Sequence, residues 1–345
     1  MDSTTRQLRI AQIIPETFDT KTFVLQPIDD APFDYQAGQF LTLLFEEHGQ
    51  EVRRSFSFST APQTDELPAI TIKRIPNGLI SRRLLDHAQP GDVLKTLEPS
   101  GRFVIPVDIV PRHVFLVGAG SGITPLFALL KQLLHTEPQT YITLLYSNRT
   151  IESTIFHKQL QELQKAYSER LKVIFFWGNA KNLRQARLNN SLLEEIVKQH
   201  LISAKDDALF YTCGPLHFML MVQITLLTMG FDKESIHREF YTVDTKPPTA
   251  KQYEPQSVVL AFKGTTTTVE VTNNLTILDA GLKAGLPLPY NCRSGQCGTC
   301  IAQCSKGVVE MEYNEILTDE EVTHGRMLTC MAHPLTADVH VSWEI

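Results

Sequence analysis

Near its C-terminal end, this 345-residue chain reads Cys292-Arg-Ser-Gly-Gln-Cys297-Gly-Thr-Cys300, and a further cysteine, Cys330, follows downstream. Two irons bridged by sulfide need four thiolates, and a tight glycine-containing loop can bring three of them to one side of such a cluster. The C-x4-C-x2-C spacing therefore predicts that Cys292, Cys297, Cys300 and Cys330 hold a [2Fe–2S] cluster. A structural zinc site, the alternative, usually pairs two short C-x2–4-C knuckles, and this segment offers only one.

Composition and cysteine placement indicate a globular protein of a reducing compartment. Four of the six cysteines fall between Cys292 and Cys304, which favours metal binding over disulfides and a cytoplasmic location. The N-terminus has no signal-peptide pattern, and the uncharged stretch 208–231 is broken by Gly214-Pro215, so we expect no membrane span. A net charge of −6 gives no case for nucleic-acid binding. Cys304 is expected to be a buried apolar side chain on the strand that leaves the cysteine loop.

Upstream of the cysteines the pattern changes twice, so we predict a multi-domain protein. Residues 1–108 contain short β-rich runs such as 40–45, 54–59 and 69–75, typical of an antiparallel β-barrel. Residues 109–243 alternate apolar strands with helices, which predicts an α/β domain with a doubly wound parallel sheet. Residues 244–256 look like a proline-stiffened linker, and 257–345 form a third compact domain.

A glycine loop, Gly118-Ala119-Gly120-Ser121-Gly122-Ile123-Thr124-Pro125, follows the first strand of the α/β domain. Backbone N–H groups and the positive end of the following helix favour a pyrophosphate at such a loop. We expect Thr124 to cap that helix and Pro125 to lie in its first turn. The loop departs from G-x-G-x-x-G because its third glycine position holds Ile123, so alone it is a weak indication of nucleotide binding.

Two parts of the chain resemble known protein families. Residues 257–345 resemble plant-type ferredoxins, on the match of Pro289-Tyr290-Asn291-Cys292-Arg293 and Met327-Leu328-Thr329-Cys330, which implies an α+β β-grasp domain. The glycine loop with its terminal Thr-Pro resembles the nicotinamide-binding loop of the ferredoxin–NADP+ reductase family. The order of the domains, flavin, nicotinamide and then ferredoxin, is similar to that of oxygenase reductase components, most closely the phenylacetyl-CoA epoxidase reductase type.

The reductase resemblance implies two sets of cofactor-binding residues. Arg54-Ser55-Phe56-Ser57 resembles the family's R-x-Y-S flavin motif, with Phe56 replacing the tyrosine, and Asn77-Gly78-Leu79-Ile80-Ser81 resembles its second phosphate turn. The implied flavin set, with FAD rather than FMN, is Arg54, Ser55, Phe56, Ser57, Lys73, Gly78, Leu79, Ile80, Ser81 and Tyr241. The implied nicotinamide set is Gly118, Gly120, Ser121, Gly122, Thr124, Pro125, Ser147, Asn148, Arg149, Cys213, Gly214 and Pro215. Ser57, Cys213 and Glu239 are implied to form the catalytic contact between nicotinamide and flavin.

The second strand of the α/β domain leads into Ser147-Asn148-Arg149, where an adenosine ribose is expected. An acid there would favour NADH, whereas Arg149 suits the 2′-phosphate of NADPH, with Arg184 and Arg187 as candidate helpers. The sequence therefore favours NADPH, and NADH remains an alternative.

Together these residues predict an NAD(P)H-dependent oxidoreductase that passes electrons through a flavin and the cluster to an oxygenase or hydroxylase partner. The acidic run Glu310, Glu312, Glu315, Asp319, Glu320 and Glu321 is either a solvated face or a docking surface for that partner. Alternative acceptors are a Rieske oxygenase, a desaturase or a cytochrome P450. A non-catalytic zinc-binding protein is the alternative from a different class.

Overall fold

The chain divides into two units, 1–241 and 242–345, in a computed structural model. The model describes residues 5–29, 32–106, 111–202, 204–241, 251–272 and 275–344. Most of the expected linker, 244–250, lies outside the described residues.

The N-terminal part of the first unit is the expected antiparallel barrel. Its elements are β1 Thr5–Thr17, β2 Thr20–Pro27, β3 Phe40–Glu47, β4 Gln50–Ser57, β5 Ala69–Lys73, α1 Leu79–His87 and β6 Val93–Leu97. The six strands pair in the order β4-β3-β6-β1-β2-β5. An antiparallel bridge between Phe58 and Ile70 joins the two outer strands, which closes the sheet on itself. Inward side chains such as Leu8, Phe23 and Leu43 are fully buried and form the barrel core.

The second part of the first unit is a parallel sheet covered on both faces. Its elements are β7 His113–Ala119, α2 Ile123–Thr136, β8 Tyr141–Asn148, α3 His157–Ala166, β9 Leu171–Trp177, α4 Leu183–Ala186, α5 Asn190–His200, β10 Ala208–Cys213, α6 Leu216–Thr228 and β11 Ile236–Glu239. The strand order is β11-β10-β7-β8-β9, with every pairing parallel. Alternate residues of β7 enter opposite cores, Val114 and Leu116 on one side and Phe115 and Val117 on the other. The sheet is therefore buried on both faces, as the continuous apolar strands predicted.

The second unit has the mixed sheet expected of the ferredoxin-like domain. Its elements are β12 Gln256–Phe262, β13 Thr265–Val271, α7 Ile277–Lys283, β14 Ile301–Lys306, β15 Val309–Met311, α8 Asp319–Thr323, β16 Arg326–Leu328, β17 Ala332–Pro334 and β18 Val339–Ser342. Five strands pair in the order β13-β12-β18-β14-β16, and β15 pairs with β17. Thr276 caps α7 through a reciprocal bond with Asp279. The cysteine loop runs between α7 and β14, anchored on this core.

Candidate functional site

The glycine loop forms a 3-10 turn, Gly120–Gly122, between β7 and α2. Gly120 has φ +57°, a conformation that favours glycine. A Cβ on Gly122 would lie 2.1 Å from the carbonyl oxygen of Cys213, so this position admits no side chain. The glycines therefore serve two purposes: one makes the turn and the other lets the end of β10 approach the loop.

The expectation that Thr124 caps α2 is wrong. Gly122 occupies the cap position, no side chain caps the helix, and Thr124 lies in the first turn together with Pro125. The helix begins at Ile123, directly after the 3-10 turn, so Thr124 already lies inside the helix. The Thr124 hydroxyl donates to the carbonyl oxygen of Ser121 at 2.9 Å. The N–H groups at this helix start thus have no capping side chain, and such groups suit a phosphate.

A buried tyrosine that the sequence analysis missed supports this loop. The Tyr146 hydroxyl donates to the carbonyl oxygen of Gly120 at 3.0 Å, and the side chain is fully buried. Burial also raises the pKa of Tyr146, so the hydroxyl stays a donor. Nothing local in the sequence distinguished this tyrosine, because β8 also contains Tyr141, Thr143 and Ser147.

Polar atoms without partners collect at the carboxyl end of the parallel sheet. Ser147 Oγ, Asn148 Nδ2 and Thr212 Oγ1 are buried and have no hydrogen-bond partner in the described part of the chain. Buried polar groups are ordinarily paired, and ligands of open α/β sheets bind at the carboxyl ends of the strands. Arg149 follows β8 directly and is exposed. The residues present therefore fit a polar dinucleotide.

Ser57, Cys213, Glu239 and Tyr241 meet although they come from distant parts of the sequence. Ser57, the last residue of β4, donates to Glu239 Oε2 at 2.7 Å. Cys213 and Glu239 end the neighbouring strands β10 and β11 and are register partners. The Tyr241 hydroxyl lies 3.2 Å from Ser57 Oγ and also contacts the Cys213 thiol and the carbonyl oxygen of Ser121. The implied catalytic trio is thus brought together, next to the glycine loop.

Burial keeps these groups in their neutral forms. It raises the pKa of Glu239 to about 8, although the Ser57 hydroxyl opposes the rise by donating to the carboxylate. Burial, and then the Glu239 charge, raises the pKa of the Cys213 thiol. Tyr241 is 44% exposed as a whole, but its hydroxyl lies close to Ser57 and Cys213. Burial is the main cause that raises the pKa of this hydroxyl as well. The contact zone formed by Ser57, Cys213, Glu239 and Tyr241 therefore holds its protons near neutral pH.

The flavin motif, Arg54-Ser55-Phe56-Ser57, forms the C-terminal half of β4. Arg54 is exposed, Phe56 is half-buried, and the Ser55 hydroxyl is 2.9 Å from Thr42 Oγ1. Lys73, at the end of β5, lies 3.6 Å from Asp19 and is engaged by that carboxylate. Arg54 and Phe56 remain accessible for a phosphate and a flat ring, whereas the charge of Lys73 is already paired.

The second phosphate turn lies at the start of α1. Gly78 occupies the cap position without a capping side chain, and Leu79 and Ile80 begin the helix. A Cβ on Gly78 would lie 2.5 Å from Ser81 Oγ and 2.9 Å from Ile75 Cβ, so the backbone stays bare here. This uncapped start of a nine-residue helix fits a flavin phosphate.

In the second unit, the four predicted cluster ligands lie as two pairs. Cys292 is within hydrogen-bonding distance of Cys297, and Cys300 of Cys330. No group of three His, Cys, Asp or Glu side chains in the described ranges is placed to hold a single metal ion. Two iron atoms need two thiolates each, so this donor set fits a two-iron cluster.

Backbone N–H groups in the cysteine loop point towards the thiols. Ser294 N–H donates to Cys292 Sγ at 3.4 Å, and Gly295 N–H lies close to Cys330 Sγ. Gly295 has φ +73°, and a Cβ there would lie 2.8 Å from the Tyr313 carbonyl oxygen. Such donors stabilise thiolates and tune the potential of a bound cluster. Cys304 lies on β14 as expected, but it is half-buried rather than buried.

The acidic run is less free than its sequence suggests. Glu310 pairs with Lys251, Glu312 with His333, and Glu321 with Arg326, while Glu315 accepts a hydrogen bond from Tyr313. Asp319 and Glu320, in the first turn of α8, are exposed. Of the candidate helpers near the nucleotide, Arg184 pairs with Glu195 on the surface and Arg187 is exposed.

Comparisons with known proteins match all three parts of the chain. Residues 7–105 match the family model of the oxidoreductase FAD-binding domain, 116–223 that of the oxidoreductase NAD-binding domain, and 260–335 that of the 2Fe-2S iron–sulfur cluster binding domain. Within the described residues, no helix is both long and apolar enough to cross a membrane.

Relatives match over nearly their full length. The chain is 33% identical to the ferredoxin reductase component of 3-ketosteroid-9-alpha-monooxygenase of Mycobacterium tuberculosis, over 98% of this chain and 96% of that protein. It is 32% identical to a subunit of the 1,2-phenylacetyl-CoA epoxidase of Escherichia coli, over 99% and 98%. The solved structure of phthalate dioxygenase reductase is similar, with a TM-score of 0.61 and 25% identity over 98% of both chains. The chain therefore belongs to the family of ferredoxin reductase components that join FAD-binding, NAD-binding and [2Fe–2S] domains, and it is an NAD(P)H-dependent oxidoreductase.

Proposed function

We propose that this chain takes electrons from NADPH and delivers them, through FAD and its [2Fe–2S] cluster, to an oxygenase or hydroxylase protein. The observation that carries the proposal is the meeting of Ser57 with Glu239 and Cys213 beside the glycine loop, in a chain that also presents paired thiols. Bound FAD accepts the two electrons of a hydride together and releases them singly, which suits a one-electron cluster. The relatives named above are components of oxygenase systems.

The flavin is proposed to lie on β4 and the start of α1. Arg54 supplies a fixed charge for its phosphate, Phe56 a flat apolar face for its rings, and the bare N–H groups at Gly78–Ser81 a second phosphate contact. Tyr241 and Ser57, which lie within 3.2 Å of each other, would also contact the flavin rings. The nicotinamide nucleotide is proposed to lie on Gly118–Pro125, Ser147–Arg149 and Cys213–Pro215.

The residues at the contact zone position the reacting rings and exclude water. Glu239 and Tyr241 both lie within hydrogen-bonding distance of Ser57 Oγ, which restricts the orientation of its hydroxyl. The neutral Glu239 and the neutral Cys213 thiol add no charge that would oppose hydride movement, and their burial removes water. The chemistry requires no nucleophile or general base, in agreement with a site whose titratable groups keep their protons.

NADPH is preferred, on the grounds that Arg149 is exposed directly after β8 and no acidic residue stands in Ser147-Asn148-Arg149. Arg149→Ala should lower kcat/KM for NADPH about tenfold or more and leave that for NADH within about twofold, since a charged hydrogen bond contributes about 1.5–3 kcal/mol. Arg112→Ala is the matched control, because this exposed arginine directly precedes β7, at the end of the strand away from the glycine loop. An unchanged NADPH/NADH ratio in Arg149→Ala would remove this assignment.

The order of electron transfer, from flavin to cluster to partner, can be tested by replacing one predicted cluster ligand. Cys297→Ser should lose iron and most electron delivery to the partner, while NADPH still bleaches the flavin under anaerobic conditions. Cys304→Ser, on the adjoining strand and outside the two thiol pairs, should keep both activities. Full electron delivery by Cys297→Ser would show that the cluster is not on the path.

The partner is proposed to dock on the exposed acids of α8. Asp319 and Glu320 are exposed at the start of α8, whereas the other members of the acidic run have a described ion pair or side-chain hydrogen bond, and complementary charge speeds the encounter of proteins. Asp319→Asn/Glu320→Gln should slow association with a purified partner and flatten its salt dependence. A cytoplasmic location and the boundaries 1–108, 109–243 and 257–345 complete the proposal.

A further inference from the structure

The barrel and the parallel sheet of the first unit face each other across a cavity of about 480 Å³. Barrel residues line one side, and Phe127 and Lys131 of α2 with Phe156 and Gln159 line the other. Beside the cavity the two domains share a buried core, to which Ala61 of the barrel and Leu126 and Leu129 of α2 belong. Within the cavity, polar bridges link residues that are distant in sequence.

The stronger bridge is an ion pair. Lys131 Nζ donates to both carboxylate oxygens of Asp65, at 2.8 and 2.7 Å, and the two side chains are only 15% and 26% exposed. The ammonium group also lies 5.0 Å from the centre of the Phe127 ring. Partial burial of such a pair reduces solvent screening, so its geometry is held more firmly than that of a surface pair.

A second bridge lies beside it. Gln159 of α3 donates to Glu16 Oε2 at 3.2 Å, and the other oxygen of Glu16 accepts from Thr22 of β2 at 2.7 Å. Both carboxylates belong to the barrel and both nitrogen donors belong to the parallel-sheet domain. The charges and dipoles are therefore complementary across the gap.

Each end of the ion pair leads directly to a cofactor site. Lys131 lies on α2, the helix that begins at the glycine loop. Asp65 organises the loop that follows the flavin motif: its carboxylate accepts from Ala61 N–H at 2.8 Å and from the Thr64 hydroxyl at 2.9 Å. A change in the Lys131–Asp65 distance would therefore move the nucleotide loop relative to β4, where Ser57 lies.

We propose that Lys131 and Asp65 are positioning residues that set the distance between the bound nicotinamide and the flavin. The inference rests on the proposed function, since it concerns the rate of hydride transfer. Displacement of reacting groups by about 1 Å can lower a rate by about 100-fold, so a pair remote from the chemistry can control it.

The test measures flavin reduction by NADPH in single turnover, with the anaerobic full-length holoprotein. Lys131→Met, which keeps the apolar stem over Phe127, should lower the limiting rate constant about tenfold or more and weaken the nicotinamide–flavin charge-transfer absorbance, while the Kd of NADPH changes less than about twofold. Lys131→Arg should restore the rate to within about threefold. Lys198→Met, which breaks an exposed ion pair on α5, is the matched control and should behave as the wild type.

A second variant tests the same ion pair if Lys131→Met does not fold or does not retain flavin. Asp65→Asn keeps an acceptor for Ala61 N–H but removes the charge, and it should show the same loss of limiting rate. An unchanged limiting rate in the folded variants, or a loss confined to the Kd of NADPH, would overturn the inference. Failure of the wild-type flavin to be reduced by either NADPH or NADH would instead contradict the proposed function.

Discussion

Glu239 should make the flavin-free protein less stable as the pH rises. The carboxyl group is buried, and burial raises its pKa from 4.5 to about 8. Between these values the folded state keeps a proton that the unfolded state has released, so the free energy of unfolding falls with increasing pH. At about 1.4 kcal/mol per pH unit the loss amounts to up to about 5 kcal/mol, complete just above pH 8.

Glu239→Gln removes this titration and keeps an acceptor for the Ser57 hydroxyl. Relative to the variant, the wild type should therefore lose up to about 5 kcal/mol between pH 4.5 and pH 8.5. Urea unfolding followed by tryptophan fluorescence measures the difference. The chain has two tryptophans, so a Trp343→Phe background leaves Trp177 of β9 to report on the first unit alone.

Glu169→Gln is the control, because this glutamate is exposed on the same unit. It should not alter the pH dependence. If the stability difference between the wild type and Glu239→Gln were the same at every pH, Glu239 would be ionised in the folded state and the description of a neutral contact zone would be wrong.

Three further outcomes follow from the packing. Gly122→Ala should lower the stability of the first unit by about 3 kcal/mol, because its Cβ would collide with the Cys213 carbonyl. Gly118→Ala should cost only about 1 kcal/mol, since its Cβ meets the flexible end of a leucine side chain. Thermal unfolding compares the two variants, and equal losses of stability would refute the collision at Gly122. Tyr211→Phe should cost about 1 kcal/mol, since the hydroxyl donates to a backbone carbonyl oxygen at 2.9 Å, and no loss in urea unfolding would count against that bond. Cys304→Ser should leave the iron content of the purified protein unchanged, and a loss of iron would place this thiol at the cluster.

Much of the architecture could be predicted because local patterns carried it. The alternation of apolar strands and helices between 113 and 229 placed eight elements of the parallel-sheet domain, four strands and four helices, within a few residues of their observed bounds. Cysteine spacing likewise identified the cluster loop, since thiolate geometry restricts which spacings work. The long strands β1 and β2 were missed, because register shifts interrupt the alternation along β1.

The finer features depend on residues that meet only after folding. The helix start at Ile123 could not be placed from Thr124, because a 3-10 turn precedes the helix and its last residue, Gly122, lies against Cys213, which is distant in sequence. The acidic run looked uniform in sequence, yet Glu310 forms an ion pair with Lys251, which comes from another segment, and Glu321 forms one with Arg326. The Lys131–Asp65 pair spans 66 positions and leaves no local signal.

The contact between the backbone of Gly122 and the carbonyl of Cys213 also constrains how this protein can change over generations. Two short motifs, separated by about ninety residues, share one surface with no room for a methyl group. Because the clash at position 122 is with a backbone carbonyl that every residue carries, no substitution at position 213 relieves it. Position 122 is therefore expected to remain glycine in every descendant that keeps this turn, whatever side chain stands at position 213.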